Sequence, residues 1–236
     1  MKLGIIGAMT IEVNLLKKEI ENLKIDKEGA FEFYSGTING IEVTVLLSGI
    51  GKVSAAVGTS LLIERYQPSY IINTGTAGGL HNVKMGDLVI GDEVGYHDAD
   101  LTAFGYELGQ MAQQPAYFKA NEYLLQIVLK AVQKLPVEQN ILQGIILSGD
   151  SFMSDVERVD QVRNDFSKAL AVDMESAAIG QTCKQLNVPF VVVRAISDMA
   201  GEGDSKSYDT FVERAGNISA KMIVNCIEII KNGKNS

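Results

Sequence analysis

The sequence predicts an α/β fold in which a mostly parallel or mixed sheet is covered by helices. Three observations carry that expectation. Short apolar runs with strand character alternate with helical stretches along most of the 236 residues. One hairpin signal interrupts the alternation and makes the sheet mixed. The length and the 46% hydrophobic content suffice for one large core, so residues 1–236 are expected to form a single domain.

Residues 3–7 read as a buried first strand. Over residues 11–20, Ile11, Leu15, Leu16 and Ile20 recur at helical spacing with Lys17, Lys18 and Glu19 between them, which predicts an amphipathic helix. Residues 31–38 and 41–47 are two strands separated only by Asn39-Gly40, a dipeptide that tolerates the positive φ angles of a type I′ turn. After Ser48-Gly49-Ile50-Gly51-Lys52 a helix runs over 53–66, and Pro68 leads into a strand over 70–73 and a glycine-rich turn over 75–79. Residues 88–95 are extended, whereas 97–115 have few periodic apolar positions and read as a long functional loop. Helices are expected over 121–132, 156–164 and 176–186, with strands over 143–148, 170–173 and 190–197. A long helix over about 208–231 and a polar tail over 232–236 close the chain.

A formal net charge of −8 disfavours nucleic acid and anionic lipid as partners, because both would be repelled at long range; a small-molecule substrate fits better. Cys183 and Cys226 show no zinc-like spacing and read as buried, reduced thiols. The start of the chain lacks a signal-type apolar region and no run of 18 apolar residues occurs, so neither secretion nor a membrane span is expected and the location should be cytoplasmic. No dinucleotide or P-loop fingerprint is complete, and His97-Asp98-Ala99-Asp100 reads as a solvated loop, so no cofactor or metal is implied.

In open α/β sheets ligands bind beyond the carboxyl ends of the strands, and three acids fall there: Glu12, Glu175 and Asp198. Each has a structural alternative. Glu12 also suits the first turn of a helix, Asp198 a turn or N-cap, and Glu175 the cap of the helix that follows it. Arg194, inside a run of Val and Ile, must find a carboxylate or a polar ligand if buried. By alternation, Val191, Val193 and Ala195 face one way while Val192, Arg194 and Ile196 face the other.

Seven segments together closely resemble the bacterial 5′-methylthioadenosine/S-adenosylhomocysteine nucleosidases, in that family's order and over nearly the whole chain. They are Gly4-Ile5-Ile6-Gly7-Ala8-Met9 with Glu12, Ser48-Gly49-Ile50-Gly51-Lys52, Asn73-Thr74-Gly75-Thr76-Ala77-Gly78-Gly79, Tyr96-His97-Asp98-Ala99-Asp100, Ser148-Gly149-Asp150-Ser151-Phe152, Asp173-Met174-Glu175 and Arg194-Ala195-Ile196-Ser197-Asp198. The resemblance implies a purine nucleoside phosphorylase-like fold, a three-layer α/β/α sandwich with a central mixed, barrel-like sheet, and a homodimer. It implies that Glu12 activates water, Asp198 protonates the purine at N7 and Glu175 holds the ribose hydroxyls. It also implies Met9, Met174 and Arg194 around the ribose, Thr76 hydrogen-bonding to ribose or water, Phe152 with Met153 against adenine, and Gly78 and Ser197 as further substrate-binding positions. Ile50, Tyr208 and the neighbouring subunit's Leu101, Phe104 and Tyr106 would surround the alkylthio group. Thr76 stands where serine is usual, and Met153 where isoleucine or valine is usual.

The chemistry suits those groups. Adenine leaves poorly as an anion, so hydrolysis needs a proton on the departing ring while positive charge builds on the sugar, and a protonated Asp198 would supply it. Glu12 must instead stay ionised to orient and deprotonate water, a division like that of inverting glycosidases. The two oxygens of Glu175 suit two adjacent hydroxyls, and polarizable methionines and aromatics suit a thioether. The expected reaction is hydrolysis of methylthioadenosine and S-adenosylhomocysteine, with 5′-deoxyadenosine as a further substrate. Two rivals compete with it. A nucleoside phosphorylase would need groups that hold phosphate, which Glu12 repels, and Asn73 stands where such enzymes resemble one another in carrying arginine. A nucleoside sensor would bind without turnover.

Overall fold

The computed structural model describes residues 1–135, 140–201 and 205–233, with residues 205–212 described by their backbone alone. Its elements alternate as expected: β1 (Lys2–Gly7), α1 (Thr10–Glu19), β2 (Glu21–Glu28), β3 (Phe31–Ile38), β4 (Ile41–Leu47), α2 (Lys52–Tyr66), β5 (Tyr70–Gly79) and β6 (Leu88–Tyr96). Then follow β7 (Phe118–Lys119), α3 (Glu122–Val132), β8 (Ile141–Ser148), α4 (Val156–Asp165), β9 (Ala169–Asp173), α5 (Ser176–Gln185), β10 (Phe190–Met199) and α6 (Ser205–Gly233).

Strands β5, β10, β6, β8 and β9 close on themselves into a barrel-like ring, because β5 pairs with both β10 and β9. From the same strand the sheet continues through β1, β4, β3 and β2. Parallel pairs (β1 with β4 and β5, β5 with β10, β6 with β8, β8 with β9) mix with antiparallel ones, so the sheet is mixed. The hairpin between β3 and β4 turns at Asn39 (φ 51°) and Gly40 (φ 77°), the positive pair that a type I′ turn requires.

Helices α1, α3 and α6 cover one side of the sheet and α2 and α5 the other, which makes three layers. The alternation along β10 is as expected. Val191, Val193 and Ala195 join the α1/α3/α6 core, while Val192 and Ile196 join the core under α2 and α5. Both cysteines are buried and unpaired by disulfide, inside the two opposite cores. Among the described residues no helix is long and apolar enough to cross a membrane.

The structure corrects the reading of the sequence at five places. Strand β2 was not anticipated: all eight residues are exposed, so no burial pattern marks them, and the strand exists through its pairing with β3 at the sheet edge. Its charged side chains suit such an edge. Residues 75–79 are not a turn but the second half of β5, held by β10 on one side and, at Gly78 and Gly79, by β9 on the other. Strand β10 continues past residue 197, so Asp198 lies within it rather than capping it, beyond a bulge between Ile196 and Asp198. The long loop after β6 contains a 3₁₀ turn over Thr102–Phe104 and ends at β7. Of the expected polar tail, residues 232 and 233 belong to α6, and 234–236 lie outside the described residues.

Candidate active site

Along one edge, β5 changes partner. Its first residues pair with β1 as far as Ile6 opposite Asn73, and its last two pair with β9. Between them, residues 74–77 have no strand on that side, and the Glu12 carboxylate enters the gap. Its Oε1 accepts the Thr76 N–H (3.2 Å), while Oε2 accepts the N–H groups of Ala8 (2.7 Å) and Met9 (2.9 Å) where β1 passes into α1. Gly75 leaves the room, because a Cβ there would lie 2.8 Å from Glu12 Oε1. Glu12 is 2% exposed. The acid therefore both ties the first turn of α1 and occupies the strand-end crevice.

Glu175 begins α5 but does not cap it. Asp173 performs that task, with Oδ1 accepting from the N–H groups of Glu175 (3.2 Å) and Ser176 (3.1 Å), and with a contact to the Ser176 hydroxyl. Glu175 is thereby left to accept the Gly51 N–H at 3.0 Å, across the pocket at the start of α2. Asp173 also takes the Arg194 Nε at 2.8 Å, and the same guanidinium donates to Asn73 Oδ1 (2.6 Å) and the Val193 carbonyl (3.1 Å). Asn73 in turn donates to the Ile6 carbonyl, and Ser148 Oγ joins Asp173 to the Ala177 N–H. A buried polar floor thus links β1, β5, β8, β9, β10 and α5. Sequence reasoning missed Asp173, Asn73, Ser148 and Ser176 as members of it; the need of a buried Arg194 for a carboxylate was the available signal.

Asp198, 6% exposed, reaches the same pocket from the bulge in β10, an irregularity that re-aims side chains. The Ser197 hydroxyl donates to its Oδ1 (2.7 Å), and a Cβ on Gly78 would sit 3.5 Å from its Oδ2. The cavity measures about 210 Å³ and is lined by Glu12, Glu175, Asp198, Asp173, Met9, Ile50, Thr76, Gly78, Phe152, Met174 and Ser197, together with Ala8, Ala77 and Val172. A larger groove, about 590 Å³, runs beside β7 and the end of α5, but no buried acid lines it.

Of the residues singled out in the sequence, most of those assigned to one protomer are brought together here. Arg194 is not in the lining: it is 2% exposed and lies beneath the pocket, paired with Asp173. Met153 is also outside it, packed with Leu147, Val159 and Val172, and its carbonyl accepts the Gly201 N–H. The side chain of Tyr208 lies outside the described residues. Leu101, Phe104 and Tyr106 belong to the loop after β6 and do not line this pocket; Phe104 is 79% exposed. The segment read as a solvated loop is engaged instead, since Asp98 Oδ2 accepts Lys52 Nζ at 2.7 Å and the Asp150 N–H at 3.0 Å.

Burial pushes the Glu12 carboxyl above its ordinary value, against the pull of the Met9, Ala8 and Thr76 amides and of the Arg194 charge. Burial, reinforced by the neighbouring Asp173 charge, pushes Glu175 up to about 7, while Arg194 and the Gly51 amide oppose it. A carboxylate poised nearer neutrality is a better proton acceptor than an exposed glutamate. The lining, among the described residues, holds four carboxylates and no Lys or Arg. Such a site can activate water, hold hydroxyls and deliver a proton, but it repels a phosphate nucleophile.

A family model described as the phosphorylase superfamily matches residues 2–228. Among solved structures, the chain is similar to a 5′-methylthioadenosine/S-adenosylhomocysteine nucleosidase from Colwellia psychrerythraea in complex with adenine. The two are 42% identical with a TM-score of 0.94, over 97% of this chain and 95% of that one. It is also similar to the corresponding nucleosidase of Neisseria meningitidis in complex with methylthio-immucillin-A, at 43% identity and a TM-score of 0.92 over 96% and 98% of the two chains. For that of Streptococcus pneumoniae with a transition-state inhibitor, the identity is 38% and the TM-score 0.89, over 96% and 98%.

Proposed function

The chain belongs to the phosphorylase superfamily and, within it, to the 5′-methylthioadenosine/S-adenosylhomocysteine nucleosidases, and on that premise we propose how its own residues carry the reaction. It is a hydrolase that cleaves the N-glycosidic bond of methylthioadenosine and S-adenosylhomocysteine, releasing adenine and the 5-substituted ribose, a step of methionine salvage. In our reading Glu12 orients and deprotonates the attacking water. Asp198 donates a proton to adenine N7, so that the base leaves neutral as the sugar acquires oxocarbenium character. Glu175 accepts hydrogen bonds from the ribose hydroxyls. Met9, Ile50, Phe152 and Met174 form apolar, polarizable walls for the base and the thioether, and Thr76, Gly78 and Ser197 approach the nucleoside between them.

Arg194 acts from beneath, as the buried counter-charge that permits several acids to share one cavity. We extend the substrate range to 5′-deoxyadenosine, whose missing sulfur an apolar wall tolerates. We also propose a homodimer in which Leu101, Phe104 and Tyr106 of one protomer complete the alkylthio pocket of the other, with Tyr208 contributing from its own chain. The exposed Ile50, Val53, Val57 and Phe104 support it, as an apolar surface that a second copy would cover.

The observation that carries hydrolysis over phosphorolysis is the lining, which among the described residues holds four carboxylates and no cation. Adenine release measured with and without phosphate tests it: equal rates are expected, and strict phosphate dependence would overturn the reading. Binding of methylthioadenosine without any adenine release would instead favour a sensor.

A further inference from the structure

Three segments meet at the mouth of the pocket: residues 48–52, from the end of β4 to the first residue of α2, residues 97–100 after β6, and residues 149–152 after β8. The last carries Phe152 into the lining, and the first carries Ile50 and the Gly51 N–H that reaches Glu175. A set of polar contacts fastens them. Asp150 Oδ1 accepts the Lys52 N–H at 2.8 Å, one residue from the Gly51 N–H. Asp98 Oδ2 accepts both Lys52 Nζ (2.7 Å) and the Asp150 N–H (3.0 Å), and Lys52 Nζ stands 3.9 Å from Asp150 Oδ2. The packing leaves no slack: a Cβ on Gly51 would lie 3.1 Å from Asp150 Oδ1, and one on Gly149 would lie 2.4 Å from the His97 ring.

We infer that Asp150 is a positioning residue for Glu175, holding the start of α2 so that the Gly51 N–H stays on the carboxylate, with Asp98 and Lys52 fixing Asp150 in turn. Two considerations separate this from a general contribution to folding. Asp150 is about half-exposed, at 48%, and ion pairs at such sites add little to stability. Its shorter contact is not to the Lys52 ammonium, at 3.9 Å, but to a backbone N–H, at 2.8 Å, next to the one that Glu175 uses. The Gly51 amide is a donor that favours the ionised form of a carboxylate which burial otherwise drives toward protonation. Loss of Asp150 therefore makes Glu175 harder to ionise. The inference rests on the reading of Glu175 as the acceptor of the ribose hydroxyls.

The test is kcat/KM for methylthioadenosine as a function of pH, with Asp150→Ala, Asp150→Asn and Glu175→Gln. Asp150→Ala should move the acid limb up by about one pH unit, a loss of about tenfold on that limb. Asp150→Asn should keep the parent limb, because its amide oxygen still accepts the Lys52 N–H. An unshifted limb in Asp150→Ala overturns the inference, whatever the absolute rate. If Asp150→Ala does not fold, Lys52→Ala and Lys52→Pro decide. Both lack the ammonium, but only proline lacks the N–H, and the first helical position with Gly51 at ψ 161° accommodates it. The larger shift is expected in Lys52→Pro, which loses the N–H as well as the ammonium, and identical profiles overturn the inference. Near-parent activity of Glu175→Gln would remove the ribose reading itself, an outcome distinct from a low-activity Glu175→Gln beside an unshifted Asp150→Ala.

Discussion

Glu12 shows how one side chain satisfies two demands, since the amides it accepts at the start of α1 and at Thr76 also aim its carboxylate into the cavity. Glu12→Gln keeps one oxygen that can still accept the Ala8 and Met9 amides but cannot take a proton, and Asp198→Asn cannot give one. Each should lower kcat by about 10²- to 10⁴-fold while the circular dichroism spectrum is unchanged, and a near-parent rate in either would remove that residue from its role. Because burial raises both Glu12 and Glu175, the acid limb of kcat/KM should fall at a pH above that of an ordinary glutamate, with Glu175, pushed up to about 7, on that limb. Glu175 gives a signed stability effect. Below 4.5 both folded and unfolded chains hold its proton and above about 7 neither does; between these the folded chain holds more, so stability drops as pH rises through that window. Glu175→Gln abolishes the drop. Its gain in Tm over the parent should be larger at about pH 8 than at about pH 4.5, and an equal gain at both would contradict the assignment.

At the scale of elements, the site depends on two irregular strands. Strand β5 is long enough to serve β1 and then β9, and the interval between its two partners is where the Glu12 carboxylate fits. Strand β10 is interrupted by a bulge just before Asp198. Gly75→Ala tests the first feature. The backbone there needs no positive φ, so the fold should tolerate alanine, but the methyl lies 2.8 Å from Glu12 Oε1 and must displace the carboxylate. We expect a fall in kcat of about 10²-fold, the order that a misplacement near 1 Å costs, with Tm little changed; unaltered kcat would show that Glu12 adjusts freely. The strand ends were only partly legible. Residues 75–79 look like a turn because glycine is rare in strands, and only the pairing with β10 and β9 makes them one. Strand β2 has no buried residue and so no periodic signal at all.

For the whole molecule, the net charge of −8 and the acid-lined cavity argue together for an uncharged or cationic nucleoside rather than a phosphorylated one. The exposed apolar residues on α2 and in the loop after β6 are the basis of the proposed dimer. Val53 (75% exposed) and Val57 (44%) are one helical turn apart, and Phe104 is 79% exposed. Sedimentation should give a dimer, and Phe104→Ala should raise KM for methylthioadenosine about tenfold with kcat nearly unchanged. A fully active monomer would rule out a pocket shared between protomers.

What the sequence by itself determined is whatever is written locally. The strand and helix alternation comes from the period of the apolar residues, the β3–β4 hairpin from Asn39-Gly40, and the three acids Glu12, Glu175 and Asp198 from their places near strand ends. Seven motifs in one order were sufficient to indicate the family. Only the tertiary structure decided how those groups are held. It paired Arg194 with Asp173 and Asn73 under the floor instead of leaving it in the lining, and it set the Gly51 N–H on Glu175 across 124 residues of chain. It also recruited Asp98 and Asp150 from segments with no periodic signal. The reason is physical: periodicity and turn chemistry act over a few neighbouring residues, whereas a buried charge selects its partner by distance in space after the strands have closed.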